Sequence, residues 1–271
     1  MNTTSQSSKT IIVLGKARSG TSLTAGILTI LGVDMNGDNS PTPFNPHGAY
    51  EDLDFNDLDK EILKSAGGDH LLHLPSRESI LEQRQKYASK LQIFFEQKSK
   101  KGLWGWKKPA TILLLDLYLP YIKNPHFVVV TRDSQSNAIS LLDYLKPRHP
   151  SVTLAYCLEI VNVFNKRMSE CIQSHPEIPT LHISFESLTL NPVIQAKRIA
   201  EFLDITFQEK HAEAVQKFVI SRNKIGKQKN IALFLGLPHK VKRILLGCWK
   251  DPKAIKTYFL QFLRLLRNRF L

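Results

Sequence analysis

The sequence predicts an α/β protein in which a mostly parallel, doubly wound sheet is flanked by helices. Short apolar runs rich in β-branched residues, such as Ile11–Leu14 and Phe127–Thr131, alternate along the chain with segments of helical character. Continuous apolar runs of this kind are expected of strands that are buried on both faces of a parallel sheet. Alternating strands and helices imply right-handed crossover connections between neighbouring strands.

The first part of the chain begins this alternation. The apolar run predicts a strand over 10–14, and a helix-like segment follows over 20–31. Asp34–Tyr50 is rich in Gly, Asn and Pro and is predicted to be a loop, long enough to be functional. Helices are predicted over 52–66 and over 78–100, the second being amphipathic and rich in Glu, Gln and Lys.

The rest of the chain continues in the same way. A short strand over 104–106 leads to a helix over 110–119, which Pro120 ends. The strand over 127–131 is followed by a polar turn and a helix over 136–145. The remaining predicted elements are a long helix over 151–174, a strand over 180–184, and helices over 192–203 and 209–219.

The turn after the first strand has the composition of an anion-binding loop. It reads Gly15-Lys16-Ala17-Arg18-Ser19-Gly20-Thr21-Ser22 and leads into a helix. Backbone N–H groups and the positive end of the helix dipole converge on such a turn. Gly15 and Gly20 have the spacing of a nucleoside triphosphate loop, but Thr21 stands where that loop has its lysine. The loop therefore favours a phosphate site without ATP or GTP chemistry, with Arg18 as its cation; an ordinary strand–turn–helix is the alternative.

An arginine and a serine follow the strand over 127–131. Arg132 stands at its C-terminal end, and Ser140 comes eight residues later on the following helical segment. Ligands of open α/β sheets bind at this edge of the sheet. The planar donors of arginine bind two oxygens of a phosphate at once. Arg132 and Ser140 are therefore predicted to hold one phosphate group together.

Taken together, these segments resemble the sulfotransferases that use 3′-phosphoadenosine 5′-phosphosulfate (PAPS). Arg18–Ser22 is similar to the family's 5′-phosphosulfate motif, and Val130–Arg132 with Ser140 is similar to its 3′-phosphate motif. Trp104–Pro109 is similar to the W-G-W-K-D-P run of bacterial and Golgi-type members, and residues 181–203 are similar to the closing strand and helix. The resemblance covers roughly residues 10 to 220, with the motifs in the family's order.

This resemblance implies a P-loop NTPase-like sulfotransferase fold and transfer of a sulfuryl group from PAPS to a hydroxyl or amine. It implies that the 5′-phosphosulfate is bound by Arg18, Ser19, Gly20, Thr21 and Ser22, and that the 3′-phosphate is bound by Arg132 and Ser140. No metal is expected, and no cluster of His, Cys and Asp has metal-ligand spacing. The expected partner is a small-molecule acceptor, with natural-product tailoring as one setting, and no nucleic acid is expected.

Lys107, within the Trp104–Pro109 run, is predicted to neutralise the transferring sulfuryl group or its leaving oxygen. The alternative for this residue is a surface lysine whose apolar stem lies along the protein. Its neighbours depart from the family pattern, because Lys108 replaces the usual aspartate and Ala110 replaces a frequent arginine. These departures put in doubt the contacts that the two side chains make in relatives. They also predict a different shape for the part of the site that binds the acceptor.

The general base is predicted in Asn45–Asp52, which resembles the N-P-x-G-x-x-E-D segment of bacterial relatives. Glu51 is the first candidate, because shielding at a loop–helix junction is expected to raise its pKa. A carboxylate that only complements the helix dipole is the alternative. His47 is the second candidate, since the ordinary histidine pKa lies near neutrality. His70 and His73, which lie among leucines, are weaker candidates.

The positive charge of the chain is concentrated at its end. Of a formal net charge of +13, residues 222–271 contribute +12, from thirteen Lys and Arg and one acid. We therefore predict a catalytic domain over 1–221 and a basic, helical C-terminal extension over 222–271. Apolar residues recur along one face of 251–271, which fits a helix packed on the core or in a dimer; peripheral contact with an anionic membrane or an acidic partner is the alternative.

The three cysteines and the N-terminus predict a cytoplasmic protein. An odd number of cysteines without metal spacing suits a reducing compartment, and Met1–Lys9 is polar and unlike a signal peptide.

Two other functions stay open. A P-loop kinase or adenylate-handling enzyme is disfavoured by Thr21, whereas Lys108 and Ala110 leave room for a non-catalytic nucleotide-binding or membrane-associated protein on the same fold.

Overall fold

The computed structural model describes residues 9–35, 37, 48–99 and 102–220, and the structural statements below concern these residues. The chain divides into two compact units, Met1–Gln216 and Lys217–Leu271. The fold and the site described here belong to the first unit. The predicted basic extension over 222–271, including its helix over 251–271, lies outside the described residues. Within the described ranges, no helix has both the length and the apolar character needed to cross a membrane.

Four parallel strands form the sheet in this part of the chain. They are β1 (Thr10–Leu14), β2 (Trp104–Lys107), β3 (Pro125–Thr131) and β4 (Thr180–Ser184), in the spatial order β2-β1-β3-β4. The register places Val13 opposite Lys107, and Leu14 opposite Val129. Because all the strands run in one direction, their carboxyl ends meet at a single edge, where α/β sheets bind ligands.

Nine α-helices between residues 21 and 202 surround this sheet. They are α1 (Thr21–Ile30), α2 (Leu53–Ser65), α3 (Arg77–Leu81), α4 (Arg84–Lys98), α5 (Thr111–Tyr118), α6 (Ser134–Leu145), α7 (Leu154–Ser174), α8 (Phe185–Leu190) and α9 (Pro192–Phe202). A 3₁₀ turn over Leu119–Tyr121 follows α5, and a further helix begins at residue 209. All five residues of β1 are buried, as expected for a strand covered on both faces. The predicted α/β class with a doubly wound parallel sheet is confirmed.

The structure differs from the sequence prediction at two places. The helix predicted over 78–100 is interrupted at residues 82 and 83, which form a turn between α3 and α4. Ile80 and Tyr87 are buried on the two sides of this turn, so the apolar spacing continues across it and hides the break. The second difference is α8, a helix of six residues that directly follows β4 and that was not predicted.

The start of α2 is fixed against β2 by buried groups, and this contact positions the site. The Phe55 ring stacks on Trp106 of β2, with ring centroids 4.5 Å apart and planes at 10°. Asp52 caps α2 by accepting a hydrogen bond from the Asp54 amide. Lys98 of α4 donates to the buried Asp52 carboxylate over 2.5 Å. The residue before this cap, Glu51, is thereby held at the carboxyl end of β2.

Candidate active site

The turn between β1 and α1 has a geometry suited to an anion. Arg18 and Gly20 adopt left-handed conformations, with φ of 74° and 103°. Gly15 has no room for a side chain, because a Cβ there would lie 2.7 Å from the Val130 backbone oxygen of β3. The N-cap residue of α1 is Gly20, which has no side chain to accept from the first amides, so these amides and the positive end of the helix dipole face the turn. This arrangement leaves the start of α1 available to a negatively charged group.

Two buried polar atoms at this edge have no hydrogen-bond partner within the described part of the chain. They are Ser19 Oγ, in the turn, and Arg132 Nε, just after β3. Burying a polar atom without a partner costs free energy, and native proteins satisfy nearly all such atoms with protein, water or ligand. Both atoms therefore point to a group with hydrogen-bonding oxygens at this edge.

The predicted phosphate-binding residues Arg18, Arg132 and Ser140 lie together. Arg132 Nη1 donates to the Arg18 backbone oxygen over 3.0 Å, and Arg18 Nε donates to Ser140 Oγ over 3.3 Å. Arg132 also stacks on the Phe185 ring, with its guanidinium carbon 4.5 Å from the ring centroid. Burial, and then the charge of Arg132, lowers the pKa of Arg18. Two neighbouring, partly desolvated cations attract a multiply charged anion.

A second cluster lies at the end of β2 and contains Glu51, Lys107 and Lys108. Lys107 Nζ is 2.6 Å from Glu51 Oε1, and Lys108 Nζ is 2.7 Å from Glu51 Oε2. Lys108 also donates to Asn56 Oδ1 of α2 over 2.5 Å. Both lysines are buried, and only 2% of the Lys107 surface is exposed. One carboxylate thus accepts bonds from two consecutive lysines.

The expectation that shielding raises the pKa of Glu51 is wrong for the free protein. Burial by itself raises this pKa, but the charges and hydrogen bonds of Lys107 and Lys108 outweigh burial and lower the pKa to about 2. The sequence did not reveal this effect because Lys107 and Lys108 are 56 and 57 positions from Glu51, and only the fold brings them into contact. In this state Glu51 is a carboxylate held by two cations and is a weak base.

The other predicted residues have different surroundings. Thr21 is buried and Ser22 is half-buried in the first turn of α1. His47, the second candidate for the base, lies outside the described residues. Burial, followed by the charges of Lys108 and Lys16, lowers the pKa of His70 to about 4, so its ring is neutral at pH 7. His73 is exposed, and its Nδ1 lies 3.3 Å from the Asp69 carboxylate.

Lys16 is a buried cation of the loop that the sequence analysis gave no role. Its Nζ donates to the His70 backbone oxygen over 3.1 Å and lies 3.7 Å from the centroid of the Phe164 ring. Burial lowers its pKa to about 7, against the opposing effects of Asp69 and Cys157. A lysine directly after Gly15, at the end of a buried strand, was the signal available in the sequence.

Asp59 is the second buried group that sequence reasoning missed. It lies on α2, one helical turn after Asn56, and is fully buried. Its Oδ1 accepts a hydrogen bond from the Tyr118 hydroxyl over 2.6 Å, while its Oδ2 has no partner among the described residues. Burial raises its pKa to about 7, although the Tyr118 hydrogen bond and the charge of Lys108 act in the opposite direction.

Comparisons with known proteins find similar solved structures and one matching family model. No curated protein matches the chain. Among solved structures, the sulfotransferase domain from the curacin biosynthetic pathway is 15% identical, with a TM-score of 0.46 over 76% of this chain and 77% of that chain. The sulfotransferase STF1 from Mycobacterium tuberculosis H37Rv is 14% identical, with a TM-score of 0.46 over 78% of this chain and 72% of that chain.

A mouse sulfotransferase complexed with PAP is 14% identical, with a TM-score of 0.41 over 78% of this chain and 64% of that chain. The sequence model of the Sulfotransferase family matches residues 10–209, from the start of β1 to beyond α9. This match spans the loop after β1, the end of β2 and the end of β3, and it covers well over half of the 271 residues. The chain therefore belongs to the sulfotransferase family.

Proposed function

We propose that the chain transfers the sulfuryl group of PAPS to a hydroxyl or amine of a small-molecule acceptor. The observation that carries this proposal is the convergence of Arg18, Arg132 and Ser140 where β1 and β3 end. Membership of the sulfotransferase family supports sulfuryl transfer. The loop after β1 offers one anion subsite, and Arg18 with Arg132 offers a second beside it. Two adjacent subsites support a donor that carries phosphate groups at both the 3′ and the 5′ position of its ribose.

The residues at this edge fit such a donor. The amides that begin α1, together with the buried Ser19 hydroxyl, suit a 5′-phosphosulfate. Arg132, through the Nε that lacks a partner in the described residues, and Ser140 suit a 3′-phosphate. The Phe185 ring, stacked on Arg132, limits how far the guanidinium can move. In this proposal each donor phosphate satisfies one of the two unpaired buried atoms.

The second cluster supplies the groups for the transfer itself. When bound, PAPS provides an activated sulfuryl group and a bisphosphoadenosine leaving group. Lys107, as a compact cation in a buried site, balances the negative charge that grows on the leaving oxygen. Glu51 accepts the proton of the acceptor hydroxyl or amine. Lys107 Nζ lies 2.6 Å from Glu51 Oε1, so the cation and the base are direct neighbours in the free protein.

This contact also supports an order of binding. Glu51 is a weak base while both lysines hold its pKa at about 2. If the Lys107 ammonium turns toward a negatively charged donor, Glu51 loses one cationic partner and burial then raises its pKa. The donor is therefore expected to bind before Glu51 accepts a proton, because the donor relieves the ion pair that suppresses the base.

Calorimetric titration with 3′,5′-bisphosphoadenosine, and with AMP as the control ligand, tests this proposal. The two nucleotides differ in the 3′-phosphate, so tighter binding of the bisphosphate by at least about tenfold is expected from charge-assisted hydrogen bonds. Equal affinities would remove the proposed 3′-phosphate site. Acceptor screening with PAPS is the following step, with release of bisphosphoadenosine as the readout.

The setting of the reaction is also a proposal. We take natural-product tailoring as one source of acceptors and the cytoplasm as the location, with no nucleic acid partner. The extension over 251–271 is proposed to contact protein, in a dimer or on the domain, or an anionic membrane. Truncation after Asn230 separates these roles: a folded, monomeric product that no longer binds anionic vesicles supports the membrane contact, and an insoluble product supports packing on protein.

A further inference from the structure

A second group of chemically active side chains lies at the opposite edge of the sheet from the proposed donor site. Asp116 comes from the end of α5, Cys171 from the last turn of α7, and His175 directly follows that helix. This is the edge at which β3 and β4 begin. Asp116 and Cys171 are 55 positions apart in the sequence, so no local spacing revealed the group.

The three side chains each turn one donor atom toward a common point. Asp116 Oδ1 lies 3.9 Å from Cys171 Sγ and 4.0 Å from His175 Nε2, and all three atoms lie within 4.8 Å of one another. Zinc binds sulfur, nitrogen and oxygen ligands at about 2.0–2.3 Å, so side-chain movements of about 1 Å bring all three into range. Asp116 and His175 are partly exposed and have the freedom for such movements.

Outer contacts orient two of these groups as metal ligands. Arg77 Nε donates to Asp116 Oδ2 over 2.7 Å, which leaves Oδ1 facing the cysteine and the histidine. His175 Nδ1 lies 3.2 Å from the Glu177 carboxylate. If Nδ1 carries the proton in that hydrogen bond, Nε2 is the unprotonated nitrogen, and Nε2 is the atom that faces Asp116. Metal-binding histidines usually donate their other ring N–H to a carboxylate or carbonyl in this way.

A cavity of about 710 Å³ reaches this group, and both Asp116 and His175 line it. It gives a cation a path from solvent and leaves space for a water molecule as fourth ligand. We infer that Asp116, Cys171 and His175 form a binding site for a divalent transition metal, with Zn²⁺ as the best match to a thiolate, an imidazole and a carboxylate. Because the ligands come from α5 and from the end of α7, the metal joins these two elements.

A hydrogen-bonded cluster without metal is the simpler alternative. It differs from a metal site in the state of the Cys171 sulfur and in the metal selectivity that it predicts. At 3.9 Å, the contact between Cys171 Sγ and Asp116 is a weak thiol hydrogen bond. Such a cluster needs no thiolate and does not distinguish Zn²⁺ from Mg²⁺. A metal site containing a thiolate selects Zn²⁺ over Mg²⁺, since thiolates are soft ligands. The selectivity of binding therefore separates the two explanations.

The test uses the full chain after treatment with a chelator and its removal. Calorimetric titration with ZnCl₂ is expected to show one equivalent bound, a higher Tm, and no comparable effect of MgCl₂. Titration with CoCl₂ is expected to produce a thiolate-to-cobalt absorption band. Absence of zinc binding at micromolar concentrations, with Tm unchanged, would overturn the site and leave only the hydrogen-bonded cluster.

Ligand variants locate the metal. Cys171→Ser is expected to abolish the cobalt band, and both Cys171→Ser and His175→Ala are expected to weaken zinc binding by at least about tenfold. Cys157→Ser is the matched control, since Cys157 is a buried cysteine of the same helix, and it should keep both signals. His175→Ala changes a partly exposed side chain and keeps the test decisive if Cys171→Ser does not fold. Unchanged zinc affinity in either folded ligand variant would place the metal elsewhere.

Discussion

Arg132 Nη1 donates a hydrogen bond of 3.0 Å to the backbone carbonyl of Arg18. The bond runs from the end of β3 to the loop after β1, and so connects the two segments that we propose hold opposite ends of the donor. Arg18 has φ of 74°, a left-handed conformation that residues with side chains seldom adopt. A side-chain donor on its carbonyl helps to hold that conformation. The shape of the loop and the position of Arg132 therefore depend on each other.

Arg132→Ala is expected to weaken binding of 3′,5′-bisphosphoadenosine by about tenfold to a hundredfold, because a charge-assisted hydrogen bond contributes about 1.5–3 kcal/mol. AMP affinity should fall much less, through the indirect effect on the loop. Titration calorimetry measures both constants. Arg198→Ala, which removes an exposed arginine of α9, is the control and should change neither. Equal losses for the two nucleotides in Arg132→Ala would contradict a 3′-phosphate contact.

Glu51→Gln is expected to lower kcat by about 10²–10⁴, the usual contribution of a general base, while the affinity for bisphosphoadenosine does not fall. Glutamine keeps the shape of the side chain but cannot accept the proton. Steady-state kinetics with PAPS and a screened acceptor give the rate. Glu61→Gln, an exposed carboxyl of α2, serves as the control. A Glu51→Gln enzyme of nearly normal rate would move the base to another residue, with His47 first in line.

Lys108→Met is expected to shift the acid limb of the kcat/KM profile to higher pH. The charge of Lys108 helps to hold the pKa of Glu51 at about 2, and removing a cation makes the carboxylate easier to protonate. The sign of the shift is therefore upward, from about 2 toward the ordinary value for Glu, because the charge of Lys107 remains. Lys60→Met, at an exposed position of α2, should leave the profile in place. A downward shift in Lys108→Met would show that this lysine does not stabilise the ionised base.

Asp59→Asn is expected to reduce the dependence of stability on pH between about pH 4 and 7. Burial raises the pKa of Asp59 to about 7, above its value in the unfolded chain, so the folded state binds the proton more tightly. The wild type should consequently lose stability as pH rises through this window, at about 1.4 kcal/mol per pKa unit of difference. Urea denaturation at pH 5 and pH 8 measures the change. A pH dependence retained in full would assign it to other groups.

Phe55→Ala is expected to lower the free energy of unfolding by about 3–5 kcal/mol, the usual cost of removing a buried aromatic ring. Phe55 is fully buried and stacks on Trp106, so the change leaves a cavity where α2 meets β2. The neighbouring Leu53 is 61% exposed, and Leu53→Ala should change stability by less than about 0.5 kcal/mol. Urea denaturation of both variants gives the comparison, and similar losses would contradict the described packing.

The sequence was most informative where chemistry and periodicity change together. The predicted bounds of β1 and β4 agree with those observed, because each run contains β-branched residues and has a turn-forming residue at one end, Gly15 after β1 and Pro179 before β4. The sequence did not predict the break between α3 and α4, because the spacing of apolar residues continues across it. The helix α8 had a visible signal, since Ser184 caps it by accepting a hydrogen bond from the Ser187 amide.

For the site, the edge rule of parallel sheets predicted a ligand site after β3 in which Arg132 and Ser140 lie together, and the structure adds Arg18 to this pair. Their binding roles, like those of Glu51 and Lys107, remain predictions. Lys16 and Asp59 were not foreseen, because the pKa shift of each depends on burial by distant segments. Lys16 lies over the Phe164 ring of α7, and no pattern near Lys16 specifies that neighbour. Local residue types indicate which charges exist, but tertiary packing decides how strongly each is desolvated.

Gly20 lies under the Phe185 ring, whose Cδ2 atom would be only 2.6 Å from a Cβ at that glycine. The same ring carries the Arg132 guanidinium on its face. Adding one methyl group at position 20 would therefore push the ring, and the ring would displace the cation. The absence of a side chain at Gly20 thus fixes the position of the Arg132 guanidinium through the Phe185 ring. Steric contact, rather than charge or polarity, therefore limits which residues position 20 can accept.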